Sequence, residues 1–227
     1  MGSEGSTYTA VGGPASGFAT PGPSPATGLS YAGPVTSQKP IASEETERSY
    51  IPVANPADRP RTSRTTVRVL LTNPAGETLL FEDSDPGLDD ARWWVTPGGG
   101  IDAGESEVDA AIREVREETG YELEADGLVG PIARRHVVHG YSDRVIEQDE
   151  GFYVARVPDF EVDTAEHTAD ERLTFKQFRW WSVEELRGTD DWVWPHELVE
   201  LLHLVEEPDR WPVQLGTQEE STVLDVA

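Results

Sequence analysis

A chain of 227 residues with no cysteine and a formal charge of −25 suits one domain with appendages; it has no disulfide frame, zinc–thiolate site or cysteine nucleophile. Its 43 acids against 18 Lys and Arg repel nucleic-acid backbones and anionic lipid, so neither is an expected partner. No apolar run reaches the roughly 20 residues that span a bilayer, and a cytoplasmic protein is expected.

Residues 1–62 hold eight Gly, nine Pro and no Trp. Such a stretch cannot bury a core, and a disordered tail is predicted. Met1-Gly2-Ser3-Glu4-Gly5-Ser6 fits the loose myristoylation pattern, yet no basic cluster follows to hold a single acyl chain on a membrane. The tail carries four Lys and Arg against five Asp and Glu, so nearly all of the negative charge belongs to the rest. A folded domain is expected over 63–212, with an acidic tail over 213–227.

Order is expected from about Arg64. Residues 65–71 alternate and are β-branched, Asn73-Pro74-Ala75-Gly76 signals a turn, and 77–81 reads as the returning strand of a hairpin. Residues 92–95 are short, apolar and aromatic, a buried strand, and Pro97-Gly98-Gly99-Gly100 breaks regular structure. A helix over 107–119 follows. Ser106 to Asp109 resembles a capping box, with Ser106 as N-cap, Val108, Ala111, Ile112, Val115 and Thr119 make an apolar stripe, and Gly120 is the stop. Strands are expected at 128–138, 151–157 and 178–181, a second capping box at Ser182–Glu185, and a last helix at 196–205. Strands and helices mix without a βαβ rhythm, which favours an α+β or mixed-sheet sandwich.

The first helix is electrostatically odd. From Glu105 to Glu118 it has six acids and two Arg. Glu107, Glu114, Glu117 and Glu118 share a face beside the stripe, and like charges three and four residues apart destabilise a helix. A hard divalent cation would reverse that sign. A glycine turn that enters a helix also brings backbone groups close to a phosphate.

The stretch from Gly99 to Tyr121 resembles the Nudix box, G-x5-E-x7-R-E-U-x-E-E-x-G-U with U a bulky aliphatic. Gly99, Glu105, Arg113, Glu114, Glu117, Glu118 and Gly120 fill the fixed positions and Val115 the first U; Tyr121 stands in the last, an apolar packing position. Trp93 to Gly99 and Phe178 to Leu186 also look like family elements. The resemblance implies an α/β/α sandwich with a mixed sheet and a pyrophosphohydrolase that uses Mg2+ (or Mn2+). Glu114, Glu117, Glu118 and the Gly98 carbonyl would hold metal, and Glu105 and Arg113 would shape the loop and orient the carboxylates. Glu114 would also be a candidate base. Water would attack phosphorus in a nucleoside diphosphate linked to another moiety.

Glu147, Glu150, Glu166 and Glu171 are candidates for a further ligand or base. Trp93, Trp94 and Tyr153 could stack on a nucleobase or fill the core. His136 and His139 could contact phosphate or sit in the strand. Arg134, Arg135 and Arg144 could grip phosphate or pair with acids. The substrate class stays open among ADP-ribose-like compounds, nucleotide sugars, dinucleoside polyphosphates and oxidised nucleoside triphosphates: Pro131 and Tyr141 stand at neither the ADP-ribose nor the dinucleoside-polyphosphate spacing. A homodimer is a further expectation, since many relatives dimerise. The alternative is a catalytically silent ligand-sensing module on the same scaffold; the complete set of box carboxylates favours the enzyme.

Overall fold

The computed structural model describes residues 50–223. The expected tail lies outside the described residues as far as residue 49. Its last part does not behave as a tail: Val53 N donates to Ser142 O at 2.8 Å, and the first strand, β1 (Arg61–Thr72), begins before Arg64. Asn73 then closes a tight turn, its Oδ1 accepting from Ala75 N and Glu77 N, and β2 (Thr78–Ser84) returns. After β3 (Arg92–Val95) and the glycine turn comes α1 (Glu107–Thr119), then β4 (Leu128–Gly140) and β5 (Val145–Arg156). The chain continues through α2 (Ala169–Thr174), β6 (Gln177–Trp181), α3 (Val183–Gly188), β7 (Trp192–Trp194), α4 (Leu198–Leu204) and β8 (Val213–Glu219).

The eight strands make one mixed sheet in the order β7-β3-β2-β1-β5-β4-β8, with β6 also paired to β2. β1 runs parallel to β5 along its whole length, from Arg61↔Val145 to Thr72↔Arg156. It meets β2 only at Thr72↔Thr78. Because β2 then peels away, the edge of β1 is open to the glycine turn. Val69 N donates to Pro97 O at 2.8 Å, Val67 N to Gly99 O at 3.0 Å, and Ile101 N to Thr65 O at 3.1 Å. The turn is therefore held by backbone pairing rather than left as a loose loop.

Period-two alternation divides the side chains between two cores. Val67, Val69, Leu71, Trp93 and Tyr153 pack with Ala110, Ala111 and Val115 of α1. Leu70, Trp94, Phe152 and Trp181 face the other way, against Leu186 of α3 and Leu198 and Leu201 of α4. Helices thus cover both faces of a mixed sheet, as the sequence predicts.

The helix α1 has the expected bounds and caps. Ser106 Oγ accepts from Asp109 N, and Gly120 takes the left-handed conformation at φ 71°. Its buried face is rotated from the expected stripe: Ala110, Ala111, Glu114, Val115, Glu118 and Thr119 are buried, while Val108 is 36% exposed. Two carboxylates thus lie in the buried face, not beside it. The expected acidic tail from residue 213 needs correction, since β8 pairs parallel with β4, from Ala133↔Val213 to Val138↔Glu219. Its polar alternation hides the strand, because one side of this edge strand faces solvent. β5 also begins earlier than expected, at Val145, because Gln148 and Glu150 are buried polar residues in the sheet.

Candidate metal centre and active site

Gly98 and Gly99 let the turn pass between β1 and α1. At Gly98, φ is 131°, and an added Cβ would lie 2.2 Å from Val67 O. A Cβ at Gly99 would lie 2.7 Å from the Glu114 carboxylate. Only glycine fits at Gly98, whereas a side chain at Gly99 would push the Glu114 carboxylate aside. Gly98 is gripped from two sides: its N–H donates to Glu118 Oε2 at 2.8 Å, and its carbonyl accepts from Arg68 Nη1 at 3.1 Å.

Arg113 spans the mouth of this turn. Its Nε and Nη2 donate to the two Glu105 oxygens at 2.9 and 2.8 Å, and Nη2 also reaches Gly100 O at 2.8 Å. Nη1 donates to Glu114 at 2.7 Å and to Glu117 at 3.3 Å. One planar guanidinium therefore ties the loop acid, the turn and two helix acids together. Bonding to Arg113 holds the Glu105 carboxyl below its ordinary range.

Glu114, Glu118 and Glu171 converge, each offering an oxygen within 4.8 Å of the others. Burial raises both helix carboxyls, Glu118 the more strongly. Arg113 opposes the shift at Glu114, whereas Glu114 and Glu171 add like charge to Glu118. Glu171 comes from α2. Its other task is local: Thr168 N donates to Glu171 Oε2 at 2.6 Å, and Glu171 N to Thr168 Oγ1, a reciprocal capping box. Carboxylates this close, two of them buried, repel one another unless a cation intervenes, and three hard oxygen donors suit Mg2+ or Mn2+. The residues present fit such an ion.

Of the residues expected here, the structure brings Glu105, Arg113, Glu114, Glu118 and Gly98 together. Glu117 lies outside the triad, between Arg113 and Arg116, both at 3.3 Å. Glu107 turns away to Arg134 at 2.7 Å. Of the four outside candidates, Glu171 joins the triad, and its T-x-x-E spacing was the signal that the sequence offered. Glu147 pairs with Arg61 and Glu166 with Arg116 on the surface. Glu150 is fully buried between Arg68 and Arg135.

A NUDIX domain model matches residues 62–202. The chain belongs to the NUDIX domain family. By family it is a Nudix-type hydrolase. A putative 8-oxo-dGTP diphosphatase of Bacillus subtilis is 38% identical over 66 residues, 29% of this chain and 41% of that protein. An RNA pyrophosphohydrolase of Erythrobacter litoralis is 32% identical over 131 residues, 52% of this chain and 75% of that protein. The chain thus spans less than half of the first relative and three quarters of the second. The solved structure of a MutT protein from Methanosarcina mazei is 21% identical, covers 67% of this chain and 98% of its own, and has a TM-score of 0.45.

Trp93, Trp94 and Tyr153 of this Nudix domain serve the core rather than a nucleobase. Trp93 stacks on Trp194 at 4.5 Å between ring centroids, Trp94 packs edge-on to Trp181, and Tyr153 bonds Glu107. All three are at most 4% exposed, because alternation sends them under the helices. The basic residues pair with acids: Arg134 with Glu107, Arg135 with Glu150 and Glu220, Arg144 with Asp170 at 3.9 Å. His136 pairs with Asp149 at 2.9 Å on the surface. Among the described residues, no helix is long and apolar enough to cross a membrane.

His139 is buried between Tyr141 and Trp194. Its Nδ1 sits 2.9 Å from Glu220 O, so Nδ1 carries the proton, and Nε2 has no partner among the described residues. Burial first, then Arg68 and Arg135, push its pKa down to about 3, with Glu150 opposing. The unfolded chain takes the proton near pH 6.5. This contribution to stability is therefore complete above pH 6.5 and is lost as pH falls towards 3, by about 2 kcal/mol at pH 5. His139→Gln should shrink the drop in melting temperature between pH 7.5 and pH 5 by about 4–8 °C. An unchanged drop would mean that other groups set the acid limit.

Proposed function

We propose that this protein is a divalent-metal-dependent hydrolase that cleaves the diphosphate linkage of a nucleoside diphosphate joined to another moiety. The observation that carries this is the convergence of Glu114, Glu118 and Glu171 within 4.8 Å at a glycine turn in Nudix register. A bound Mg2+ or Mn2+ would supply charge neutralisation at the diphosphate and activation of the attacking water. Glu114, Glu118, Glu171 and the Gly98 carbonyl would hold the ion. Glu117, on the same helix at the mouth, would complete the donor set for a further ion. Glu114, raised by burial, accepts the proton of the water that attacks phosphorus. Arg113 and Glu105 keep the helix acids aimed at the turn. Two features support a small nucleotide over a long polyanion: the strongly negative chain, and Arg134, Arg135 and Arg144 already matched to acids. A nucleotide substrate makes the cytoplasm the expected compartment. A homodimer belongs to the same proposal and is read out by light scattering.

The test is product release from ADP-ribose, a nucleotide sugar, a dinucleoside tetraphosphate, an oxidised deoxynucleoside triphosphate and triphosphate-ended RNA, with and without Mg2+. Mg2+-dependent turnover of one small compound is expected. Binding without turnover of any would make the protein a sensing module. Glu171→Gln tests the donor that lies outside the box. It should weaken Mn2+ binding about tenfold, measured by calorimetry, and wild-type affinity would remove Glu171 from the centre.

A further inference from the structure

We propose that Glu220, Arg135, Glu150 and Arg68 form a buried charge relay that fixes the Gly98 carbonyl at the metal centre, which makes them positioning residues for the reaction. This rests on the metal reading above. The relay begins in the segment after β8. The Glu220 oxygens accept from Arg135 Nη1 and Nη2, both at 2.8 Å. Arg135 donates through Nε to Glu150 Oε2 at 2.7 Å. The second Glu150 oxygen accepts from Arg68 Nε at 3.1 Å, and Arg68 Nη1 ends on Gly98 O at 3.1 Å. The same residue gives its N–H to Glu118. Negative and positive groups alternate from the segment after β8 through β4, β5 and β1 to a proposed metal ligand.

Burial makes the arrangement informative. The side chains of Glu220 and Glu150 are 0% exposed, Arg135 2% and Arg68 13%. Four charges withdrawn from water add little net stability, since well-packed apolar residues of similar volume do as well or better. A fold alone therefore does not call for them. They end on Gly98, a turn residue held at φ 131°. Alternation also answers an electrostatic problem. Arg68 brings a positive charge to an oxygen proposed to face a cation, and Glu150 neutralises it. Glu150 is held fully ionised, its pKa pulled down to about 2 by Arg68 and Arg135 against the cost of burial. Glu220 neutralises Arg135 in turn, so that Glu150 is not drawn away from Arg68. Groups that orient a metal's ligands without touching the ion set its affinity.

The test is a calorimetric Mn2+ titration of the full chain, with a thermal melt of each metal-free variant. Arg68→Lys keeps the charge but cannot hold Glu150 and the Gly98 carbonyl with one planar fork; its Mn2+ affinity should fall about tenfold. Glu220→Gln, three side chains away from the turn, should give a smaller fall of about two- to threefold, with the metal-free protein still folded. Arg135→Lys is the second probe of the middle of the relay should Glu220→Gln not fold, with a fall of about tenfold expected. Variants that melt lower yet bind Mn2+ with wild-type affinity would show that the relay serves only the fold, and would overturn the proposal. A wild-type chain that binds no Mn2+ would sink the metal reading itself, and the relay's role with it.

Discussion

Replacing Glu118 by glutamine is expected to cut turnover by about 10²–10³-fold while raising the melting temperature of the metal-free protein. The two effects have one cause. Glu118 is 3% exposed, and burial with Glu114 and Glu171 as neighbours raises its carboxyl well above the ordinary range. A carboxyl whose folded pKa lies above its unfolded value binds its proton more tightly in the folded state. Stability is then greatest below the unfolded value and falls as pH rises through the folded one. At neutral pH and without metal, an ionised Glu118 opposes folding. Glutamine is neutral at every pH, and its Oε1 can still accept from Gly98 N. A gain of about 1 kcal/mol, or about 2–4 °C, should appear at pH 7.5 and vanish near pH 4, where glutamate itself is protonated. Added Mn2+ should stabilise the wild type and leave the variant nearly unmoved. Turnover near the wild-type rate, or a lower metal-free melting temperature, would show that Glu118 belongs to no metal centre.

How much of this was legible depends on how local each cause is. The bounds of α1 follow from Ser106, Asp109 and Gly120, whose capping acts within one turn of helix, and the structure returns them unchanged. The grip of Arg113 on Glu105 was legible through the box, a register over eight residues. What a local pattern cannot fix is rotation of the helix in its seat. Val108 has the right spacing for the core but lies in the first turn of α1 and is exposed, and Glu114 and Glu118 take buried positions because the glycine turn beside them leaves room. Glu171 stood among several acids outside the box. Choosing it required knowing that α2, six residues long, brings its carboxylate to those of Glu114 and Glu118. β8 was hidden for a related reason: an edge strand needs only one partner, so its sequence keeps the polarity of a tail. Glu150 has the composition of an exposed acid, and only the pairing of β1 with β5 and β5 with β4 surrounds it with Arg68 and Arg135.

The second large effect concerns Arg113, the residue that makes an acidic helix tenable beside its turn. Arg113→Ala leaves Glu114, with a side chain 10% exposed, without its cation, and frees Glu105 and the Gly100 carbonyl. Breaking a buried pair from one side costs more than the pair contributes, because the remaining charge stays buried. Arg113 is itself 23% exposed, so the low end applies: a loss of about 3 kcal/mol, or about 6–12 °C in melting temperature. Turnover should fall about 100-fold, because the helix acids would no longer be held to the turn within the tolerance that reaction geometry demands. Arg113→Lys separates charge from shape. An ammonium can neutralise Glu114, so much of the lost stability should return. It cannot present the fork that reaches Glu105, Gly100 and Glu114 at once, so turnover should stay low. Melting curves and kcat/KM in Mg2+ for the two variants decide the matter. If lysine restored both stability and rate, Arg113 would act through its charge alone, and the geometry of the clamp would carry no part of the chemistry. If it restored stability without rate, the guanidinium plane would be what couples the loop acid to the carboxylates of the centre.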